Sequence, residues 1–80
     1  MRWQDYIHSN PDVLLGKPVV KGTRLAVDFI LGLFAAGWSP EQILENYPTL
    51  TPEALRAVFA FAAESLQDDS LYSVRLRSTA

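Results

Sequence analysis

Eighty residues with a net charge of −2, 49% hydrophobic content and no cysteine make one small domain, whose surface-to-volume ratio limits its core. Disulfides are excluded, and His8 is the single histidine, too few ligands for a structural zinc, which wants four Cys, His or carboxylate donors. Chains this short without a staple usually gain stability from a partner, so an oligomer is expected, a homodimer in the simplest case.

The first 27 residues read as extended chain and turns. "DYI" is a short strand candidate, and "NPDVLLGK" carries an Asn-Pro turn signal followed by Gly16. The runs "PVV" and "RLAV" flank "KGT", which predicts a small hairpin or two short strands bending at Gly22.

From Asp28 the pattern becomes helical. Asp28 is the expected N-cap, and Val27, Ile30, Leu31 and Phe34 repeat on one face, with Phe29, Leu33 and Ala36 beside them. Gly37 stands where a left-handed residue ends a helix. "SPEQ" then reads as a capping box, Ser39 with Gln42, and Pro40 takes the first helical position. Tyr47 precedes Pro48 and is pushed out of helical geometry, so the second helix is short. "TPEA" repeats the start signal with Thr51 and Pro52. The third helix then runs to about Leu66 or Gln67, with Leu55, Val58, Phe59, Ala62 and Leu66 at helical spacing.

The predicted organisation is therefore one mainly α domain: an extended or β arm (1–27), a three-helix body (28–67) and a tail (68–80). In the tail, Val74 and Leu76 alternate with Arg75 and Arg77, strand-like or ordered only on binding. The longest apolar run, Phe29 to Trp38, has ten residues, against about 20 for a membrane-spanning helix. "MRWQDYIHSN" lacks the features of a secretory signal, so a cytoplasmic address is expected.

Charge is unevenly placed. Between Asp28 and Asp69, seven acids face one base, Arg56; residues 1–27 carry four bases against two acids, and the tail adds Arg75 and Arg77. An acidic middle thus lies between two mildly basic arms.

The stretch "GKPVVKGTR" invites a phosphate-binding reading, but Lys21 precedes Gly22 where the nucleotide loop needs Lys after the second glycine. A dinucleotide fingerprint is missing as well. A turn at Gly22 with solvated lysines is the better reading.

Short helix, turn and longer helix form the skeleton of a helix-turn-helix. A DNA-reading helix needs basic and polar side chains, and "PEALRAVFAFAAESL" offers Glu53, Arg56 and Glu64 among apolar residues. Core or subunit interface is favoured for it, leaving DNA contact to the basic arms. His8 reads as a surface or turn residue, Glu41 with Glu45 as a solvated face, and Asp68 with Asp69 as a fraying helix end. Trp38 reads as a wedge between the first two helices. No acid-base, nucleophile or metal constellation stands out, so neither an enzyme nor a cofactor is expected.

Several blocks together carry a family likeness: Gly16-Lys17-Pro18, Lys21-Gly22-Thr23-Arg24, Ala36-Gly37, Ser39-Pro40-Glu41, Tyr47-Pro48-Thr49-Leu50-Thr51 and the Ala-Phe-Ala run beyond. Over roughly residues 5–63 the chain resembles the domain-of-unknown-function 433 family. That resemblance implies a small prokaryotic protein with short N-terminal strands and a helix-turn-helix-like, homeodomain-like trihelical body, usually dimeric. It further implies an antitoxin encoded beside a PIN-like nuclease toxin. The alternatives are a helix-turn-helix-type DNA-binding regulator using the basic arms, and a homodimeric scaffold with another ligand. After Arg24 the sequence reads Leu-Ala-Val where the family usually has a branched or proline-containing step, so the first helix's start is less sharply marked.

Candidate contacts to a partner or to phosphate are Lys17, Lys21, Arg24, Arg75 and Arg77. Arg75 and Arg77 are the choice for pairing with a nuclease's metal-binding carboxylates. The candidate dimer or core interface is Phe29, Leu33, Trp38, Leu55, Val58, Phe59, Ala62 and Leu66.

Overall fold

Two-residue strands and three short helices build the domain, and the computed structural model describes residues 1–67. A 3-10 turn at Trp3–Asp5 leads into β1 (Ile7–His8), and a second such turn at Leu14–Gly16 leads into β2 (Val19–Val20). Helices α1 (Val27–Ala35), α2 (Pro40–Asn46) and α3 (Pro52–Ser65) follow. A mainly helical domain with an N-terminal hairpin is what the pattern predicts.

The strand pairing differs in detail. β1 and β2 are antiparallel, with Ile7 opposite Val20 and His8 opposite Val19. "PVV" thus takes its ladder partner from the "DYI" region, thirteen residues away in register. The expected hairpin across "KGT" survives as a single bridge between Val19 and Ala26. Val20 N–H donates to Leu25 O at 3.0 Å, and Val27 N–H to Pro18 O at 2.9 Å. Gly22 sits at the bend with φ +78°, a left-handed value that lacks the Cβ penalty only for glycine. In "DYI" only Ile7 is in the strand. Asp5 and Tyr6 are instead held by local bonds, Asp5 N–H to Arg2 O and Tyr6 N–H to Trp3 O.

Asp28 is not the cap of α1. The extended chain runs to Ala26 (φ −71°, ψ 149°), which is the N-cap and offers no side-chain bond. The bridge to Val19 and the Val27 to Pro18 bond hold the backbone extended one step beyond Leu25, so the helix starts at Val27 and places Asp28 in its first turn. The helix ends as expected. Gly37 has φ +96°, Gly37 N–H donates to Phe34 O at 3.0 Å and Trp38 N–H to Leu33 O at 3.0 Å. These are the two bonds of a Schellman motif.

The other caps follow the pattern. Ser39 N–H donates to the Gln42 side chain at 2.8 Å, and Gln42 N–H donates to Ser39 Oγ at 3.2 Å. Thr51 Oγ1 accepts from Ala54 N–H at 3.1 Å. Tyr47, before Pro48, has φ −127° and ψ 75° and closes α2.

The core gathers Ile30 of α1, Ile43 of α2 and Val58 of α3, all fully buried, with Ile7 and Val20 from the strands. Burying each such side chain contributes roughly 1.5–3 kcal/mol. On α3 the buried stripe is Ala54, Leu55, Ala57 and Val58, so Phe59 and Leu66 fall outside it at 48% and 61% exposure. The expected stripe is rotated because two alanines, Ala54 and Ala57, face inward and let α3 approach its neighbours closely. Phe61 faces the N-terminal turn, edge-to-face with Trp3 at 4.8 Å, and the Trp3 indole N–H donates to the Glu64 carboxylate.

Candidate functional site

The local geometry most at odds with a merely folded chain lies in the second 3-10 turn. Asp12 N–H donates to Asn10 Oδ1 at 2.9 Å and Val13 N–H to Asn10 O at 2.9 Å, which sets up the reversal. Leu14, Leu15 and Gly16 then follow with φ of +50°, +57° and +83°. For an L residue with a Cβ, the left-handed region costs roughly 1–2 kcal/mol. Gly16 N–H to Val13 O (3.1 Å) and Lys17 N–H to Leu14 O (3.2 Å) hold the turn. Burial does not offset the strain, because Leu15 is 96% exposed and Leu14 45%. Strain held on exposed apolar residues marks a place to look for function.

Beside this tip runs an apolar groove of about 550 Å³. It is lined by Leu14, Leu15, Leu25 and Phe29 together with the charged Lys17, Arg24 and Asp28. A second groove, about 320 Å³, lies between Pro18, Val27 and Leu31 and the end of α3, where Phe61, Ala62 and Leu66 form the wall. Lys17 and Asp28 line both, and their side chains pair at 3.1 Å.

The residues singled out in the sequence distribute as follows. Lys17 and Arg24 meet at the first groove, whereas Lys21 is exposed on the turn at Gly22 and lines neither groove. Arg75 and Arg77, like Asp68 and Asp69, lie outside the described residues. Of the apolar set, Phe29 lines the first groove and Ala62 and Leu66 the second. Leu55 and Val58 are core, and Leu33 and Trp38 are partly buried against it. Phe59 lies against Phe34 at 4.8 Å with half its surface open. Trp38 leans on Tyr47 at 6.5 Å.

Leu14, Leu15, Leu25, Leu31 and Phe61 were not singled out for a site. For the first two a signal existed: two leucines inside a segment that opens with Asn-Pro and closes with Gly. Of the remaining polar residues, His8, Glu41 and Glu45 are exposed, which fits their reading as solvated groups. Among the described residues, no three His, Asp or Glu side chains come close enough to hold a metal ion, and no helix is long and apolar enough to cross a membrane.

These features define a class first: a small domain in which, among the described residues, an N-terminal β-hairpin packs with a three-helix body and leaves apolar grooves beside it. The family model described as "Protein of unknown function (DUF433)" matches residues 7–62, and the chain belongs to that family. An uncharacterized protein of Sinorhizobium fredii (strain NBRC 101917 / NGR234), y4eO, is 41% identical over 59 residues, covering 74% of this chain and 27% of the relative. The chain thus spans about a quarter of that relative's length. No solved structure matches at a significant level.

Proposed function

We propose that this chain is a non-catalytic protein-binding module of the antitoxin kind, which neutralises a PIN-like nuclease by covering it. The observation that carries the reading is the second groove. Its walls are apolar, it lies at the end of α3, and Leu66 stands 61% exposed at its edge. An apolar segment of a partner buries both surfaces there at once. Arg75 and Arg77 follow in the sequence, and their guanidinium groups suit the clustered carboxylates that hold metal in such nucleases. In this reading α2, the turn at residues 47–51 and α3 form a helix-turn-helix-like unit that serves as a packing scaffold. Outward residues of α3 such as Glu53 and Glu64 suit a protein partner better than a phosphate backbone.

Co-expression with the nuclease encoded beside it tests the proposal, with cell growth and co-purification as readouts. Wild type is expected to restore growth and to co-purify. Leu66→Asp is expected to abolish both. Unchanged protection after deleting residues 70–80 removes the tail from the mechanism, and unchanged protection by Leu66→Asp removes the groove.

A further inference from the structure

We propose that the second groove is covered in the free chain by the chain's own last residues, with Tyr72 and Val74 seated in it and Arg75 set against Asp28. The groove, about 320 Å³, has Phe61, Ala62, Ser65 and Leu66 in its lining. Leu66 N–H donates to Ala62 O at 3.0 Å and Gln67 N–H to Glu64 O at 3.1 Å. The described residues thus stop at Gln67, one position past the lining, and residues 68–80 follow. Extended chain spans at most about 3.3–3.6 Å per residue, so Val74, seven positions after Gln67, reaches about 23–25 Å from it. From Phe61 to Leu66 the helix rises only about 7.5 Å. The segment is long enough to reverse and run back along the groove.

Its composition fits the seat. Asp68-Asp69-Ser70 comes first, and such residues favour reversals because their side chains bond the backbone two positions on. Tyr72, Val74 and Leu76 follow at every second position, which puts them on one side of an extended chain. The groove offers the complement: apolar Pro18, Val27, Leu31 and Phe61, and a carboxylate, Asp28, whose side chain is 65% exposed. Residues 28–67 carry five acids against Arg56, whereas Arg75 and Arg77 are the charged side chains of 70–80. Body and tail therefore attract. The covalent tether also raises the tail's effective concentration far above that of a free segment. On the nuclease reading above, and resting on it, the partner's apolar segment replaces the tail and frees Arg75 for the partner's carboxylates.

Paramagnetic relaxation in NMR spectra of the full 80-residue chain tests the covering without any partner. The sequence has no cysteine, so Ser78→Cys carries a single nitroxide label. The amide signals of Val27 and Leu31, which line the groove, are expected to be lost beside the label. Those of Glu41 and Glu45 on α2, which line neither groove, are expected to persist. Tyr72→Asp combined with Val74→Asp leaves residues 1–67 intact and is expected to restore the lost signals. Arg75→Gln and Asp28→Asn are each expected to restore them in part, and together no further than either alone. Mixing nitroxide-labelled chains with isotope-enriched, nitroxide-free chains is expected to leave every signal in place. Val27 and Leu31 signals that persist beside the label, or that stay lost in the Tyr72→Asp, Val74→Asp chain, overturn the proposal. So do equal losses on α2, additive effects of Arg75→Gln and Asp28→Asn, or losses in the mixture, which put another copy's tail in the groove. None of these readouts involves the nuclease, so protection of growth is decided separately.

Discussion

Lys17 Nζ lies 3.1 Å from Asp28 Oδ2, and this contact ties the strained turn to the first turn of α1. Both residues also line the two apolar grooves. Both side chains are more than half exposed, so the pair fixes geometry more than it stabilises. Asp28 additionally sits at the helix end where an acid is favoured by the backbone dipole.

Lys17→Ala is therefore expected to lower stability by no more than about 1 kcal/mol. The difference from wild type should shrink further in about 1 M salt, where exposed charges are screened within a few ångströms. Thermal melts at low and high salt check this; a loss that salt does not reduce contradicts the account of the pair as a surface contact.

The two helix caps offer a second measurement. Ser39→Ala removes the oxygen that accepts from Gln42 N–H, and Thr51→Ala the one that accepts from Ala54 N–H. Each is expected to cost about 1 kcal/mol, with Gly at the same position costing a few tenths. For a domain of this size, roughly 4–8 °C in Tm accompanies each kcal/mol, so calorimetry resolves both.

Gly32 and Gly37 separate two roles of glycine. Neither has an atom within 4 Å of where a Cβ would stand, but Gly37 has φ +96° and Gly32 lies within α1 without a positive φ. Gly32→Ala is expected to stabilise by about 0.5–1 kcal/mol, and Gly37→Ala to destabilise by about 1–2 kcal/mol. Urea titrations that moved both midpoints in the same direction would contradict the Schellman ending of α1.

Ile43 is fully buried among helices and strands. Ile43→Ala is expected to cost about 2–5 kcal/mol, a large share of the roughly 4–12 kcal/mol available to a domain of this length. Loss of cooperative unfolding in the near-UV dichroism signal is the expected result. Glu41→Ala, exposed on the same helix, is expected to change stability by less than about 0.5 kcal/mol.

What the sequence disclosed depended on how local each interaction is. The Ser39–Gln42 box, the Thr51 cap and the Gly37 ending each span a few residues, and all stand where the pattern puts them. The pairing of Ile7 with Val20 was hidden, because two-residue strands leave almost no periodicity and their partner is chosen by the core. The helix α1 starts two residues before the position the pattern predicts for a related reason: Ala26 is held extended by a bridge to Val19, a tertiary contact that outweighs the capping preference of Asp28. On α3 the spacing identified a helix, but the buried side was decided by where Ala54 and Ala57 permit close approach. The grooves were the least legible. Lys17, Arg24, Phe29, Ala62 and Leu66 were singled out individually, and only the fold divides them between two recesses.

The contact of Trp3 with Phe61 and Glu64 joins positions 61 residues apart for the Trp3–Glu64 hydrogen bond, nearly the full length of the described chain. During synthesis the turn at Trp3 must wait, its indole without the Phe61 ring, until α3 has emerged from the ribosome. Completion of this clasp therefore follows the local caps and turns, which form between neighbouring residues.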